Sequence, residues 1–427
     1  MTAVDRPRYQ DLLWIIEPAP VGEGFVISRF RGEEQVYRSG RDSRRSSGEF
    51  FSLESMLSRT GPGRPRWTRS RVPASEAREA GVRLWESLPP SAHQSLNQSL
   101  VMSKSVELPV RLKICSPVPA VSDLPWEWLS NGQEPSIALR SGIRLARSVP
   151  LRLPVPALSV TAPLRVLVVV PNPVGERLNL DREIAAVAGG IKAAEYRLQV
   201  AKEPTIAGLR RILDADPPDV LHYIGHAGLS HGEGNVILQD QDAASYWLSA
   251  TALSELLPPS VRLLCLSTCF TADNYQITGL HRLAQAPSLL KLPTTVANQY
   301  PVGEQAVREF WRVFYQALLD EEGNVNEAVT LARRAAAGAD LSFADWASFT
   351  MVLRDQSGVS FALRRAGAHP AKQAEEIQAQ FAVRLANDLA EQVEAFGEDA
   401  PPGLREQYQA ETRRASGLLK ALAEERA

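Results

Sequence analysis

The stretch DVLHYIGHAG, residues 219–228, decides how the chain folds. Val220, Leu221, Tyr223 and Ile224 make a short apolar run that stops at Gly225 and gives way to His226, Ala227 and Gly228. VRLLCLSTCF (261–270) has the same design, an apolar run ending in small and polar residues with Cys269 near its close. RVLVVV (165–170) is a third run, shut by Pro171. Continuous apolar strands of this length belong to sheets covered on both faces. Helical patterns separate them. In 180–194, Ile184, Val187 and Ile191 share one stripe; 205–214 is capped by Thr205; 250–257 is a third helix. With a strand at 196–201, the alternation predicts parallel βαβ units and a doubly wound sheet. Strands at 294–297 and 349–353, and helices near 301–320 and 324–337, extend it.

Outward from this centre the grammar changes. Residues 1–160 read as mixed α and β. Strands are expected at 11–17 and 24–30, and helices at 50–58 and at 75–88, the latter with Ser75 as N-cap. The alternation over 108–115 predicts a half-buried strand. Pro150, Pro154, Pro156 and Pro163 mark an extended linker. Beyond 371 the pattern is purely helical: Ile377, Phe381, Leu385 and Leu389 recur every four residues, and Leu404, Tyr408, Leu418 and Leu422 resume after GEDAPPG (397–403). The expected units are 1–160, 161–367 and a carboxyl-terminal helical pair over 368–427.

The 427 residues are 44% hydrophobic and 22% charged, which excludes collagen-like, mucin-like and wholly disordered chains. The formal charge of -2 points to no polyanionic or polycationic partner. Arginine is abundant but concentrated only in 29–71, where RDSRRSSGE (41–49) is densest; the ordinary reading is a solvated surface loop, and nucleic acid is not an expected partner. Three cysteines cannot build a disulfide framework, and their odd number argues for a reducing, cytoplasmic setting. The first twenty residues hold no apolar run of signal-peptide length, Asp11 interrupting them. No stretch approaches the ~18 apolar residues that cross a membrane.

His226 and Cys269 both follow apolar strands, and in an open parallel sheet ligands sit beyond the carboxyl ends of strands. If the two strands are neighbours, the pair shares one crevice. An ordinary thiol, with a pKa of about 8.5, is only a few per cent thiolate at neutral pH. An imidazole beside it can take its proton and later return it to a leaving amine, while backbone N–H groups bind the oxyanion. Two other readings stand beside this one. A Cys at a strand end also serves as a small core hydrophobe. The spacing of His222 with His226, and of Cys265 with Cys269, near His231, also suits zinc. His222 and Cys265 lie within the apolar runs, where a neutral His and an inert thiol are the default. Gly228, Gly232 and Gly234 make the segment after His226 a glycine-rich loop, but no Lys-Ser/Thr follows to hold phosphate.

Several motifs, in order, resemble the CHAT domain, a caspase-like cysteine peptidase fold related to separase within clan CD. DLPWEWL (123–129) is similar to that family's "LPWE" signature, and Arg147 and Ser148 precede a Pro-rich stretch as in its members. DVLHYIGHAG matches the strand bearing the family's catalytic His, and LSTCFT (266–271) the "LSAC" motif around its nucleophile. FYQALLD (314–320), NEAVTLAR (326–333) and DWASFTM (345–351) resemble its closing helices and final strand. The resemblance covers about 100–355. It implies a caspase-like, doubly wound, mostly parallel sheet with helices on both faces. It also implies His226 as general base and Cys269 as nucleophile, with backbone N–H groups of Ala227 or Gly228, and of Cys269, as oxyanion donors. Ala227 stands where the family often has Gly, and Thr268 where it often has Ala. Asp273 and Asp345 are the candidate substrate-binding acids; the bland reading of each is a cap or loop tie. Trp126, Trp128 and Trp346 read as core aromatics. The expectation is a cysteine endopeptidase that uses no cofactor or metal. It would cleave a protein partner in bacterial defence or signalling, set off by a separate activator or upstream protease. A catalytically silent interaction scaffold is the alternative.

Overall fold

Buried apolar runs from both sides of residue 160 enter one eleven-stranded sheet. The computed structural model describes residues 8–19, 25–31, 49–51, 71–133, 135–148, 158–161, 163–171, 181–191, 196–230, 233–267, 284, 292–321, 323–354, 361–364, 383, 386, 390, 393 and 402–424. Its strands are β1 (Gln10–Pro18), β2 (Phe25–Arg31), β3 (Glu49–Phe51), β4 (Val110–Cys115), β5 (Ile143–Ser148), β6 (Leu158–Thr161), β7 (Leu164–Val170) and β8 (Tyr196–Lys202). They continue as β9 (Val220–Ile224), β10 (Ala227–Ser230), β11 (Glu233–Gln239), β12 (Ser245–Ser249), β13 (Leu263–Ser267), β14 (Thr294–Asn298), β15 (Phe349–Leu353) and β16 (Phe361–Arg364). The main helices are α1 (Ala74–Glu86), α2 (Pro90–Val106), α3 (Asp181–Gly189), α4 (Ile206–Ala215), α5 (Ala250–Leu256), α6 (Glu304–Asp320), α7 (Val325–Ala339) and α8 (Pro402–Glu424).

The sheet order is β3-β2-β1-β4-β5-β15-β14-β13-β9-β7-β8. β1, β4, β5 and β15 run parallel, and so do β14, β13, β9, β7 and β8. The two sets meet in opposite directions where β14 pairs with β15, and β2 and β3 add an antiparallel edge. The fold is thus α/β with a mostly parallel sheet. Side chains alternate between its faces. Val166, Val168 and Val170 join a core with α1, α2, α6 and α7; Leu167 and Val169 join a second with α4 and α5. Burying each such side chain is worth about 2 kcal/mol. The first core is richest in aromatics, with Phe310 stacked on Phe349 at 3.7 Å and Trp311, Phe314 and Tyr315 around them.

The structure departs from the sequence pattern at several points, each for a physical reason. Phe50 and Phe51, expected to open a helix, pair with Val26 and Phe25 in β3; residues 52–58 lie outside the described set. α1 starts after Pro73 with no side-chain cap, so Ser75 sits inside its first turn. β4 alternates as expected but is buried on both faces. On its polar side Arg111 and Lys113 share Asp11, at 2.5 and 3.6 Å, and the Arg111 guanidinium lies over the ring of Tyr9. α2 was hidden because its buried face is mostly small and polar: Ser91, Ala92, Ser95, Leu96, Ser99 and Ser103. Ser95 is tied in by Trp14, whose indole N–H donates to its hydroxyl at 3.1 Å. Part of the Pro-rich linker forms β6, which pairs in parallel with β16. At the carboxyl end α8 is helical as expected, whereas most of 377–389 lies outside the described residues.

Where the two parallel sets meet, one carboxylate collects contacts from distant parts of the chain. Glu127, fully buried in the turn Trp126–Trp128, accepts from Arg147 of β5 at 2.5 and 3.2 Å, from Gln299 beyond β14 at 2.7 Å and from Arg333 of α7 at 3.4 Å. Arg333 also donates to the carbonyls of Phe349 and Leu145, at 2.9 and 3.1 Å, which joins β15 to β5. Burial by itself would raise the Glu127 pKa; the charge and hydrogen bonds of Arg147, with Arg333 and Gln299, outweigh it and bring it from 4.5 to about 2. Burial pushes Arg333 down to about 10 against the pull of Glu127.

A carboxyl group with a depressed folded pKa contributes stability above its unfolded pKa and loses it on acidification. Urea unfolding of the wild type should therefore weaken as pH falls from about 4.5 toward about 2. Glu127→Ala should cost about 3–5 kcal/mol near neutrality, because it strands two buried guanidiniums. Glu127→Gln should flatten the acid limb; an acid limb of wild-type depth in that variant would contradict the assignment.

Candidate active site

β9 and β13 lie side by side and parallel, with Val220 opposite Leu263 and Ile224 opposite Ser267. The contact continues one step past the strands, where the Gly225 N–H donates to the Ser267 carbonyl at 3.0 Å. Only glycine fits there. A Cβ on Gly225 would lie 2.8 Å from the Tyr223 hydroxyl and 2.9 Å from the Pro171 ring.

His226 follows at 4% exposure. Its carbonyl accepts from the Ile237 N–H at 3.1 Å and lies 2.5 Å from the Tyr223 hydroxyl. The same hydroxyl is 2.8 Å from the Ile237 carbonyl and 3.1 Å from its N–H. One phenol thus fastens the end of β9 to β11, so the imidazole stands on a clamped piece of backbone. The segment that the glycines marked as a loop is a hairpin: β10 pairs with β11, Ala227 opposite Val236 and Gly228 opposite Asn235, and β12 completes a three-stranded ribbon. Paired strands here satisfy backbone groups that a buried loop would leave without partners.

At the end of β13 the Ser267 side chain is fully buried. Its hydroxyl donates to the Glu183 carboxylate from α3 and accepts from the Trp311 indole N–H of α6 at 3.1 Å. Glu183 itself is 4% exposed. No sequence motif marks Glu183, although it stands four residues before Val187, on the buried side of that helix. Tyr223 and Trp311 were equally silent, since a buried aromatic in an apolar run reads as core.

His222 and Cys265 sit opposite one another on the same two strands, two residues deeper than Ile224 and Ser267. The His222 Nδ1 is 2.8 Å from the Tyr315 hydroxyl, and the ring packs at 5.7 Å on Tyr315 and 4.3 Å from Trp311. Burial lowers the His222 pKa to about 3, so the ring is neutral. Burial drives the Cys265 thiol far up, and its hydrogen bond with Tyr315 offsets only part of that. These are interior groups, as their place in the apolar runs implies. No group of three or more potential metal ligands occurs among the described residues.

Asp345 is buried beside α6, where Arg71 donates to both of its oxygens at 3.1 and 3.3 Å and the Gly303 N–H adds a bond at 3.0 Å. This ties the segment before α1 to the start of α6. Trp126, Trp128 and Trp346 are core residues; the Trp128 indole donates to the Tyr300 hydroxyl at 2.9 Å. His231, Thr268, Cys269 and Asp273 lie outside the described residues, as does most of the Arg-rich 41–49.

Comparison with known proteins adds the following. The family model described as "CHAT domain" matches residues 79–354. No curated protein matches the chain. Among solved structures, the Arg-specific cysteine proteinase gingipain R is similar at 9% identity and a TM-score of 0.40, over 85% of this chain and 80% of that one. The separase–securin complex of Saccharomyces cerevisiae gives 16% identity and a TM-score of 0.37, over 63% of this chain and 18% of that one. The complex of pro- and mature domains of RgpB from Porphyromonas gingivalis gives 11% and 0.39, over 62% and 69%.

The depressed pKa of His222 predicts a second acid-sensitive limb. The unfolded chain takes up a proton below about 6.5 that the folded one refuses until about 3, so stability is complete above that window and declines on acidification through it. Chemical denaturation of His222→Phe should lack the decline just below pH 6.5. A decline equal to that of the wild type would show that His222 is protonated in the folded protein.

Proposed function

The chain belongs to the CHAT domain family, and on that premise we propose that it is a caspase-like cysteine endopeptidase with Cys269 as nucleophile and His226 as general base. One observation carries the reading. β9 and β13 are adjacent, parallel and paired to their ends, with Ile224 opposite Ser267 and Gly225 bonded to the Ser267 carbonyl. His226 comes two residues after Ile224, and Cys269 two residues after Ser267.

In the proposed reaction His226 takes the thiol proton and the Cys269 sulfur attacks the scissile carbonyl carbon. The charge on the resulting oxyanion is met by backbone N–H groups. Alternation in the antiparallel hairpin favours Ala227 as one donor. With the Ile237 N–H on the His226 carbonyl, the Gly228 N–H is turned toward Asn235 and that of Ala227 away from β11. A second donor would be the N–H of Cys269. Collapse of the intermediate breaks the C–N bond, and the imidazolium protonates the departing amine. Water, activated by the same imidazole, then hydrolyses the thioester.

For the substrate we infer a protein with a basic residue before the cut, met by Asp273 four residues after the nucleophile. Asp345, with both oxygens held by Arg71, belongs to the scaffold. The setting proposed is the bacterial cytoplasm, in a defence or signalling response released by a separate activator or upstream protease.

A peptidyl acyloxymethyl ketone carrying Arg at its reactive position should label the wild type once, on Cys269. Labelling and peptide cleavage should vanish in Cys269→Ala and His226→Ala. Cys265→Ala should keep both, at a stability cost of about 1–2 kcal/mol for the lost buried sulfur. Equal loss of activity in folded Cys265→Ala would overturn the dyad. Absent labelling of folded protein with its activator would favour the silent scaffold.

A further inference from the structure

Ser267, Glu183 and Trp311 form a junction that neither packing nor the proposed acyl transfer by itself requires. Three elements meet at one buried hydroxyl: Ser267 closes β13, Glu183 projects from α3, and Trp311 from α6. α3 already docks through Val187, and α6 through Phe310, Phe314 and Leu318, so apolar contacts suffice to hold both helices on the sheet. Burying a carboxylate there is costly, several kcal/mol in the absence of compensating bonds. Such a group is best explained by a geometric demand. The hydroxyl fills both of its roles, donating to Glu183 and accepting from Trp311, which favours one Ser267 rotamer and restrains the backbone that carries it.

That restraint matters because the same residue is the last paired position of β13. Its carbonyl holds Gly225, the residue before His226, at 3.0 Å. Ser267 therefore works in two directions: through its side chain to two helices on one face, and through its carbonyl to the exit of β9. The Tyr223 clamp fixes His226 from the other side. We propose that Ser267, Glu183 and Trp311 are positioning residues that set the distance between the exits of β9 and β13, and hence the approach of the Cys269 thiol to the His226 imidazole. The proposal rests on the dyad reading above. In it the reacting atoms belong to His226 and Cys269, and the three act through the backbone that carries them.

The consequence is specific to thiol activation. A thiol held within hydrogen-bond reach of an imidazole titrates below the ordinary range near 8.5, and small displacements of reacting groups cost up to about 100-fold in rate. The experiment follows alkylation of Cys269 by iodoacetamide in the full-length protein, read by peptide mass spectrometry across a pH series. Cys115 and Cys265, both buried, serve as internal references for unfolding. Wild-type Cys269 should react at and below neutral pH, and His226→Ala should move its pH midpoint up toward 8.5. Ser267→Ala and Glu183→Ala should slow the reaction at neutral pH by roughly 10-fold or more and move the midpoint in the same direction, with Cys265 still protected. Ser267→Thr, which keeps the hydroxyl, and Glu183→Gln, which keeps an acceptor oxygen, should recover most of the rate. Should Ser267→Ala expose Cys265, Trp311→Phe removes only the indole donor and should give the same shift in smaller measure.

The outcomes separate the two ideas. An activated Cys269 in the wild type, lost in His226→Ala but unaltered in folded Ser267→Ala, Glu183→Ala and Trp311→Phe, would overturn the positioning role and leave the dyad standing. A Cys269 that titrates identically in the wild type and His226→Ala would overturn the dyad and the positioning role together.

Discussion

The Glu127 carboxylate is the constraint on which the rest of the molecule hangs. It is buried without solvent, and a lone buried carboxylate could not remain ionised. It remains so because Arg147 and Arg333 reach it from β5 and α7, with Gln299 completing the set from the end of β14. Those contributors come from both sides of the line where the two parallel halves of the sheet meet. Apolar packing would hold either half together, but it is indifferent to small slides of one half along the other. A carboxylate with three directional partners is not. The ion cluster sets the seam, and the seam carries β14 and then β13, at whose end Ser267 stands.

The sheet repeats the device near the candidate site. Several polar groups in this part of the core are held by directional bonds. His222 bonds Tyr315, and Ser267 bonds Glu183 and Trp311. Tyr223 turns its hydroxyl to the backbone of His226 and Ile237. A satisfied buried network specifies one arrangement where a greasy interface would tolerate several. Two neighbouring strands whose ends are pinned in this way make a rigid platform, and a dyad needs such a platform more than a deep pocket. The glycine at 225 belongs to the same logic, since a single Cβ there would push Tyr223 or Pro171 aside.

How much of this could be read from the chain differs by element. The strands at 165–170, 219–224 and 261–267 were plain, because continuous apolar runs bounded by Pro or Gly have few other uses. The cap at Thr205 was plain too, its hydroxyl taking the Gly208 N–H at 3.1 Å. α2 was not, because its inward face carries serines and its stability comes from Trp14 and the sheet beneath. The hairpin after His226 was obscured by its glycines, which suit a loop and a tight antiparallel pair alike. The Pro-rich linker concealed β6 because a two-stranded parallel pair needs a partner some two hundred residues away. At the candidate site His226 and the strand before Cys269 were legible from their motifs. Glu183 and Trp311 were not, since a place on the buried side of a helix does not say which partner a side chain meets.

The sequence by itself determined that 165–170, 219–224 and 261–267 are buried strands, that they alternate with helices, and so that the sheet is mostly parallel. It also marked the two strand ends where reactive side chains follow. These are local facts, written in hydrophobic period and in the residues that stop each run. Only the tertiary structure decided that the amino-terminal strands and the later ones share one sheet, that the halves run in opposite directions at β14 and β15, and that Ile224 and Ser267 end in register. It also decided which buried charges meet. Register and ion pairing depend on contacts between residues far apart in the chain, whose energies exist only once the backbone has brought them within a few ångströms. No periodicity in a single chain encodes that meeting.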